Sequence, residues 1–417
     1  MRLLILLLCF LAGCLAQKPH PCSSPPLLSG ALTVSTQNEK LWTYAKYLYD
    51  AMGQRIRIME LGAYENKSFN FDALLLYKEA TMYEINDVNR TCQKKPLKVD
   101  FQPMGIPKDA SLLGQVVLGS SSGPGQGLLV NSWTGDLPDK SGMFMSTVTE
   151  FGCIPVSSAF FNNIIGIDDP GLLNPPDFCL DAELNADSEE EPRNAYLPYS
   201  TSDHMRALIL FVCLAVGCLA QEPRPCRSPA LLTGQLSVSS PSKKLMAFAK
   251  YSYDALGERI RIREIGHYGK KTFHHDVLLL YRQRVMYKIN YRNHTCCKKR
   301  LCVDFHPLAI PRNSTLLAQV VLGSSSGPGE GVLVNTWLGE LHMKKEPANY
   351  MSTVTEFGCV PVSTVFHSNR TGWVVTSFFN NVIGLTDPQQ LLIPAMCKHA
   401  QLEEEDGEEP ESFFSLF

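Results

Sequence analysis

The stretch Met205–Gln221, MRALILFVCLAVGCLAQ, is a near copy of the first seventeen residues, MRLLILLLCFLAGCLAQ. Each copy has an Arg at its second position, an apolar run, and a small-residue ending, Gly-Cys-Leu-Ala before Gln. That is the layout of a secretory signal peptide, and the run is short for a transmembrane helix. Inside a chain, it means that the second half starts as an independent secreted protein does. The chain therefore reads as a tandem duplication of a complete precursor. A buried helix linking two domains is the competing reading of 207–220. The constraint on the fold is strong: whatever one half forms, the other forms too, and each is long enough to bury its own core. The expected organisation is a signal at 1–16, a first domain at 17–180, an acidic polar linker at 181–204, the signal-like segment at 205–220, a second domain at 221–400 and an acidic tail at 401–417. Cleavage at Ala220–Gln221 would release two proteins.

The net charge of −3 with no basic stripe gives no support for nucleic-acid binding. Fourteen cysteines are present, four of them in the signal-like segments. The first mature half keeps Cys22, Cys92, Cys153 and Cys179; the second keeps Cys226, Cys296, Cys297, Cys302, Cys359 and Cys397. Both sets are even behind a secretory signal, which favours disulfides. The mature halves hold no C-x-x-C, so spacing does not support zinc. N-glycan acceptor tripeptides occur at Asn66, Asn89, Asn293, Asn313 and Asn369.

Periodicity points to antiparallel sheet. ALTVST (31–36) alternates as a strand does, and KLWTYAKYLYDAMGQRIRIMELG gives two strands around a turn near Asp50–Gly53. In the second of these, Arg55, Arg57 and Met59 face one way and Ile56, Ile58 and Glu60 the other. That predicts one wet side, with an anion site as the functional reading of the arginines and a solvated face as the favoured one. FDALLLYKEATMYEIN reads as a hairpin with its turn near Lys78–Ala80, and PLKVDFQP as a further strand. GSSSGPGQG lacks the G-K-[ST] ending of a phosphate cradle and sits between strand-like runs, so it is expected to be a hairpin loop. The blocks recur in order in the second half, with one discrepancy. CVPVSTVFHSNRTGWVVTSFFNNVIG is answered in the first half by CIPVSSAFFNNIIG, twelve residues shorter. A lost hairpin arm opens a sheet edge, so the first lobe is expected to be less complete and less able to hold a ligand.

Chemistry is sparse. Before its tail the first mature half has a single histidine, His20, in a Pro-rich leader. His274-His275-Asp276 is the most suggestive metal cluster, yet adjacent strand residues point to opposite faces. Asp50 and Asp254, and Asp72 and Asp276, recur in both halves. Paired carboxylates can act as acid and base, but bonding to turn backbone for the first pair and capping of strand starts for the second are the favoured readings. No G-x-S-x-G or H-E-x-x-H occurs, and a hydrolase is the least favoured class.

Each half resembles ependymin-related secreted glycoproteins. The matching residues are the early Pro-Cys (Cys22; Cys226), Tyr-Asp followed by Arg-Ile-Arg (Tyr49–Arg57; Tyr253–Arg261), L-L-L-Y, the following Cys (Cys92; Cys296), Cys-x-Pro-Val (Cys153; Cys359) and an Asp-Pro…Cys ending (Asp169–Cys179; Asp387–Cys397). The resemblance implies a mostly β fold in two tandem lobes, each of two stacked curved antiparallel sheets around an apolar pocket, like bacterial lipoprotein-carrier domains. It implies disulfides Cys22–Cys153, Cys92–Cys179, Cys226–Cys359 and Cys296–Cys397. Cys297 and Cys302 are extra; they pair with each other, or Cys297 competes with Cys296 for Cys397. The implied protein is extracellular or lysosomal, not an enzyme, and associated with calcium whose ligands the sequence does not name. The implied partners are an apolar or lipid ligand, suggested also by Leu74, Leu76, Leu278 and Leu280 on one strand face. The alternative is collagen or other matrix contacted through the surface. A homodimer or a lobe–lobe pseudo-dimer is also implied.

Overall fold

The computed structural model describes residues 19–35, 41–64, 67–123, 125–136, 143–156, 160–180, 182–184, 223–240, 242–302, 304–327, 329–342, 347–368 and 372–402. Both signal-like segments, the linker beyond 184, Asn66, Asn369 and the acidic tail lie outside these residues. Among the described residues the chain is mostly β, with five short 3-10 turns and no helix long and apolar enough to cross a membrane.

Lobe 1 contains β1 (Leu27–Ser35), β2 (Leu41–Asp50), β3 (Arg55–Tyr64), β4 (Lys67–Leu76), β5 (Thr81–Asn86), β6 (Thr91–Pro96), β7 (Ser111–Gly119), β8 (Gly127–Asp136), β9 (Met143–Thr149) and β10 (Phe160–Ile165). Lobe 2 contains β11 (Leu231–Ser240), β12 (Leu245–Asp254), β13 (Arg259–Tyr268), β14 (Lys271–Leu280), β15 (Val285–Asn290), β16 (Thr295–Arg300), β17 (Thr315–Gly323), β18 (Gly331–His342), β19 (Pro347–Thr355), β20 (Pro361–Ser368) and β21 (Gly372–Ile383). Neighbouring strands pair antiparallel, as short turns between sequential strands require.

The lobes differ where their sequences do. In lobe 2 the ladder runs unbroken, β16-β15-β14-β13-β12-β11-β21-β20-β19-β18-β17. In lobe 1 the order β10-β1-β2-β3-β4-β5-β6 forms one sheet, and β7-β8-β9 stands apart from it. The reason is the absent hairpin: β20 bonds to β19 on one side and β21 on the other, and among the described residues lobe 1 has no strand that plays that part.

The inner face of lobe 2 carries a core of Leu236, Val238, Leu245, Ala249, Tyr251, Ile262, Val374 and Phe378. The other face is covered at one end by the C-terminal segment. There Leu278, Leu280, Tyr287 and Ile289 pack on Leu391 and Cys397. Lobe 1 repeats this with Leu74, Leu76, Tyr83 and Ile85 against Leu173 and Cys179. Disulfides Cys296–Cys397 and Cys92–Cys179 pin these segments down. Cys226–Cys359 and Cys22–Cys153 tie each N-terminal segment to the residue that follows β19 or β9 by a few positions.

Two expectations are corrected here. PLKVDFQP is not a strand; the strand ends at Pro96, and the following residues join no ladder. Their alternation serves packing instead: Phe101 stacks on Tyr49 at 6.0 Å, and the Tyr49 hydroxyl accepts the Met104 N–H. Lobe 2 does the same with Phe305 on Tyr253. Cys297 and Cys302 are not among the disulfide-bonded cysteines. On a strand, Cys297 points away from the face on which Cys296 meets Cys397, and Cys302 is exposed beyond the strand end.

The lobes touch through like parts. Asn380 accepts the Val117 N–H at 2.7 Å, and Asn162 accepts the Val321 N–H at 2.7 Å. Asn381 donates to the Gly119 carbonyl and Asn163 to the Gly323 carbonyl. Between them Leu128, Val130 and Val156 share one cluster with Val332, Val334 and Val362.

Candidate functional site

The arginine strand is the first place where sequence chemistry and structure diverge. Arg57 and Arg261 are buried, not on a wet face. Arg261 meets Asp276 through two bonds, Nε to Oδ1 and Nη2 to Oδ2, each 2.9 Å. Its Nη1 donates to the Gln390 carbonyl at 2.9 Å. Arg57 pairs with Asp72 in the same way and reaches the Leu172 carbonyl. Neither the solvated face nor the anion site is correct, because the C-terminal segment folds over these residues and Asp72 and Asp276 neutralise them. The same pairing replaces the expected role of the two aspartates as caps. The Asp72 bond to Arg57 raises the guanidinium pKa against the opposing pull of burial.

Asp50 and Asp254 organise the β2–β3 and β12–β13 turns. Asp254 accepts the Gly257 N–H at 2.7 Å and the Arg259 Nε–H at 3.0 Å; Asp50 does so from Gly53 and Arg55. Burial pushes the Asp254 carboxyl up, but the Gly257 N–H and Arg259 outweigh it and hold the pKa below the usual carboxylate range. A depressed folded pKa contributes stability that is present above the unfolded pKa and lost as pH falls through the folded one. Asp254→Asn is therefore expected to destabilise lobe 2 at neutral pH by about 1.5–3 kcal/mol, the value of a hydrogen bond to a charged group. It should also flatten the acid limb of the stability curve. Urea unfolding at pH 7 and pH 3 checks both; an equal loss at the two pH values would contradict the reading.

The His274-His275-Asp276 cluster does not converge. His274 lies opposite Ile265 and is exposed, Asp276 serves Arg261, and His275 turns to the inner face. Among the described residues no group of three or more His, Cys, Asp or Glu could hold a metal ion. The recurring aspartates are occupied by arginines, which removes them as calcium ligands. Two clefts stand out on the surface. One, of about 500 Å³, is lined by Arg57, Asp87, Arg90 and Phe178. The other, of about 290 Å³, is lined by His274, His275, Lys288 and Cys297 where β14 runs past the end of β15. Asn89, Asn293 and Asn313 are exposed, as a glycan requires.

One feature escaped the sequence. On the inner face of lobe 2, Glu264 lies across from His275 in register, flanked by Ala249 on β12. Its side chain is 1% exposed. Oε1 is 3.0 Å from His275 Nδ1, whose ring stacks on Phe273. Oε2 has no hydrogen-bond partner. A buried polar atom left unpaired costs about 1–3 kcal/mol. Lobe 1 keeps the carboxylate as Glu60, its pKa raised by burial, but sets Phe71 opposite it. The legible signal was a Glu at the same place in both halves of an otherwise apolar inward row.

The ependymin family model matches residues 65–179 and again 269–397, one match in each lobe. The chain belongs to the ependymin family. Ependymin-2 of Carassius auratus is 32% identical over 213 residues, covering 50% of this chain and 95% of that protein. Ependymin-2 of Salmo salar is 30% identical over 51% of this chain and 96% of that protein. Each such relative thus spans about half of this chain, as a duplicated ependymin requires. A solved structure of an uncharacterized conserved protein from Thermus thermophilus aligns with 48% of this chain and 99% of its own, at 11% identity and a TM-score of 0.27. Membership supports the coarse reading of a secreted, disulfide-bonded, non-enzymatic glycoprotein.

Proposed function

We propose that this ependymin-family chain is an extracellular binding protein whose second lobe takes an amphipathic ligand. The apolar body of the ligand lies on the inner face of the sheet, and a hydrogen-bond donor on its polar end meets Glu264. The observation that supports this is the buried Glu264 Oε2, unpartnered beside His275 on a face whose core is built from Leu, Ile, Val, Ala, Tyr and Phe side chains. An apolar core needs no carboxylate, and a hydrophobic side chain at that position would be more stable. A ligand that supplies the missing donor explains its retention. The curved, pocketed form of lipoprotein-carrier domains belongs to this reading, as does a calcium ion that associates with the surface carboxylates and shapes it. Lysosomal as well as extracellular residence fits a carrier of lipids.

The test is native mass spectrometry of the full secreted chain, followed by titration of the delipidated protein with a dansylated long-chain amine. The native chain is expected to carry a copurifying amphiphile and to bind the probe, and Glu264→Gln to bind roughly tenfold more weakly, the loss of one charge-assisted hydrogen bond. Absence of both copurifying amphiphile and probe binding defeats the proposal.

A second reading rests on a different face. Phe248 and Ile265 are exposed cross-strand neighbours on the outer side of lobe 2, with Met246 beside them and Trp373 and Val375 on β21 of the same sheet. Apolar patches of this kind mark contact surfaces, and a matrix protein such as collagen, engaged with calcium, is the partner proposed. Calcium-dependent collagen capture by a chain that binds no amphiphile would favour this reading over the first.

A further inference from the structure

The contacts between the lobes form a closed exchange. Each lobe offers an Asn-Asn pair on its last strand and accepts the other's pair on the strand and loop before its Gly-rich turn. Asn162 and Asn380 hold φ of +52° and +53°, a left-handed backbone that Asn tolerates better than most residues. This turns each side chain toward the partner strand. Asn163 and Asn381 are fully buried. Each accepts a tyrosine hydroxyl of its own lobe, from Tyr47 and Tyr251, while donating across the boundary.

The exchange is symmetric, but its consequences are not. Lobe 2 has a complete ladder without lobe 1. Lobe 1 has two sheets: among the described residues the one strand laddered to β9 is β8 and the one laddered to β10 is β1, and beyond these β9 makes a single isolated bridge, Val148 to Pro155. Lobe 2 touches both pieces at once: β21 pairs with β7 through Phe379 and Leu118, and β17 lies along β10, where Asn163 bridges to Ser324. The Asn163 side chain also donates to the Pro155 carbonyl, so the two pieces of lobe 1 meet at an atom group that lobe 2 covers. We propose that lobe 2 is the obligate partner of lobe 1. It clamps the sheets that the absent hairpin would have joined, so lobe 1 is held folded by pairing and lobe 2 folds by itself. The recognised chemistry is a second ependymin-like lobe with its own Asn-Asn pair and Gly-Ser loop. Unlike an isologous interface between equals, this one completes one side only. The two halves are therefore expected to stay together after any cleavage at Ala220–Gln221.

The experiment uses the full chain with a protease site placed within residues 185–204, cut after purification. Native mass spectrometry should find the two halves as one noncovalent complex. The combined variant Leu118→Glu and Leu322→Glu puts a carboxylate at equivalent places in the shared apolar cluster, one per lobe, so each lobe controls for the other. The halves should separate. The first should then be digested by thermolysin roughly tenfold faster than in the complex, as loss of local stability dictates, with the second unchanged. A copy of residues 366–377 inserted after Ala159 in that variant should restore resistance to the first half. Three results would overturn the proposal: halves that do not pair after cutting, or remain paired in the variant; a separated first half as resistant as the paired one; or an inserted hairpin that rescues nothing.

Discussion

Arg261→Ala is expected to destabilise lobe 2 by about 3–5 kcal/mol, the loss typical of breaking a buried ion pair from one side. The substitution strands Asp276, whose side chain is 4% exposed, and removes the donors that serve the Gln390 carbonyl and the Tyr291 hydroxyl. The C-terminal segment rests on that arginine, so its cover over Leu278 and Leu280 should loosen as well. Replacing both partners, Arg261→Met with Asp276→Leu, should recover most of the loss, because two apolar groups of similar volume leave no charge behind. The matching Arg57→Ala should cost less. Asp72 is 15% exposed, and Asp87 stands where lobe 2 has Tyr291. Denaturant unfolding followed separately for each lobe distinguishes these outcomes. A single-site loss below about 1 kcal/mol would mean that solvent reaches the pair, as it does at exposed bridges.

Removing Cys226–Cys359 by the paired change to Ala is expected to cost about 4–5 kcal/mol on the chain-entropy model, since the bridge closes a separation of 133 residues. The bridge also acts locally. Cys226 accepts the Ile310 N–H, and Cys359 holds φ of +52° beside Gly358 at +89°. A non-glycine residue in that region persists only where its surroundings enforce it. The expected result is a lowered lobe 2 unfolding midpoint with the N-terminal segment 223–230 exchanging its amide protons early. If the loss is under about 2 kcal/mol, the denatured chain already keeps those ends together and the entropic account fails.

The strand pattern around these residues was legible because its causes are local. Alternation in RIRIMELG and RIRIREIG, the LLLY hairpins and the turn-forming Asp50 and Asp254 depend on neighbours within a few positions, and pairing between sequential strands follows from short turns. The burial of the arginine face is not legible in the sequence, for the opposite reason. Alternation states that Arg261 and Ile262 face different ways, but not that residues 388–397 return to cover the arginine side. PLKVDFQP is ambiguous for the same reason, since a segment that alternates can pack its Phe101 on Tyr49 without joining a ladder. The paired asparagines in FFNNIIG and FFNNVIG carry a signal of the lobe contact: two adjacent residues of low strand propensity, present in both copies, inside a strand.

By itself the sequence determined that the chain is a duplicated, cysteine-stapled antiparallel β protein with one hairpin missing from its first copy, because repetition, period and composition are properties of residues in order. The tertiary structure alone decided what that deletion does. β20 is the strand that joins β19 to β21, so its absence splits the sheet of lobe 1 in two, and lobe 2 pairs with both pieces. It also decided that the recurrent aspartates are spent on arginines while Glu264 is not, since whether a buried charge has a partner depends on strands far apart in the chain that burial brings together.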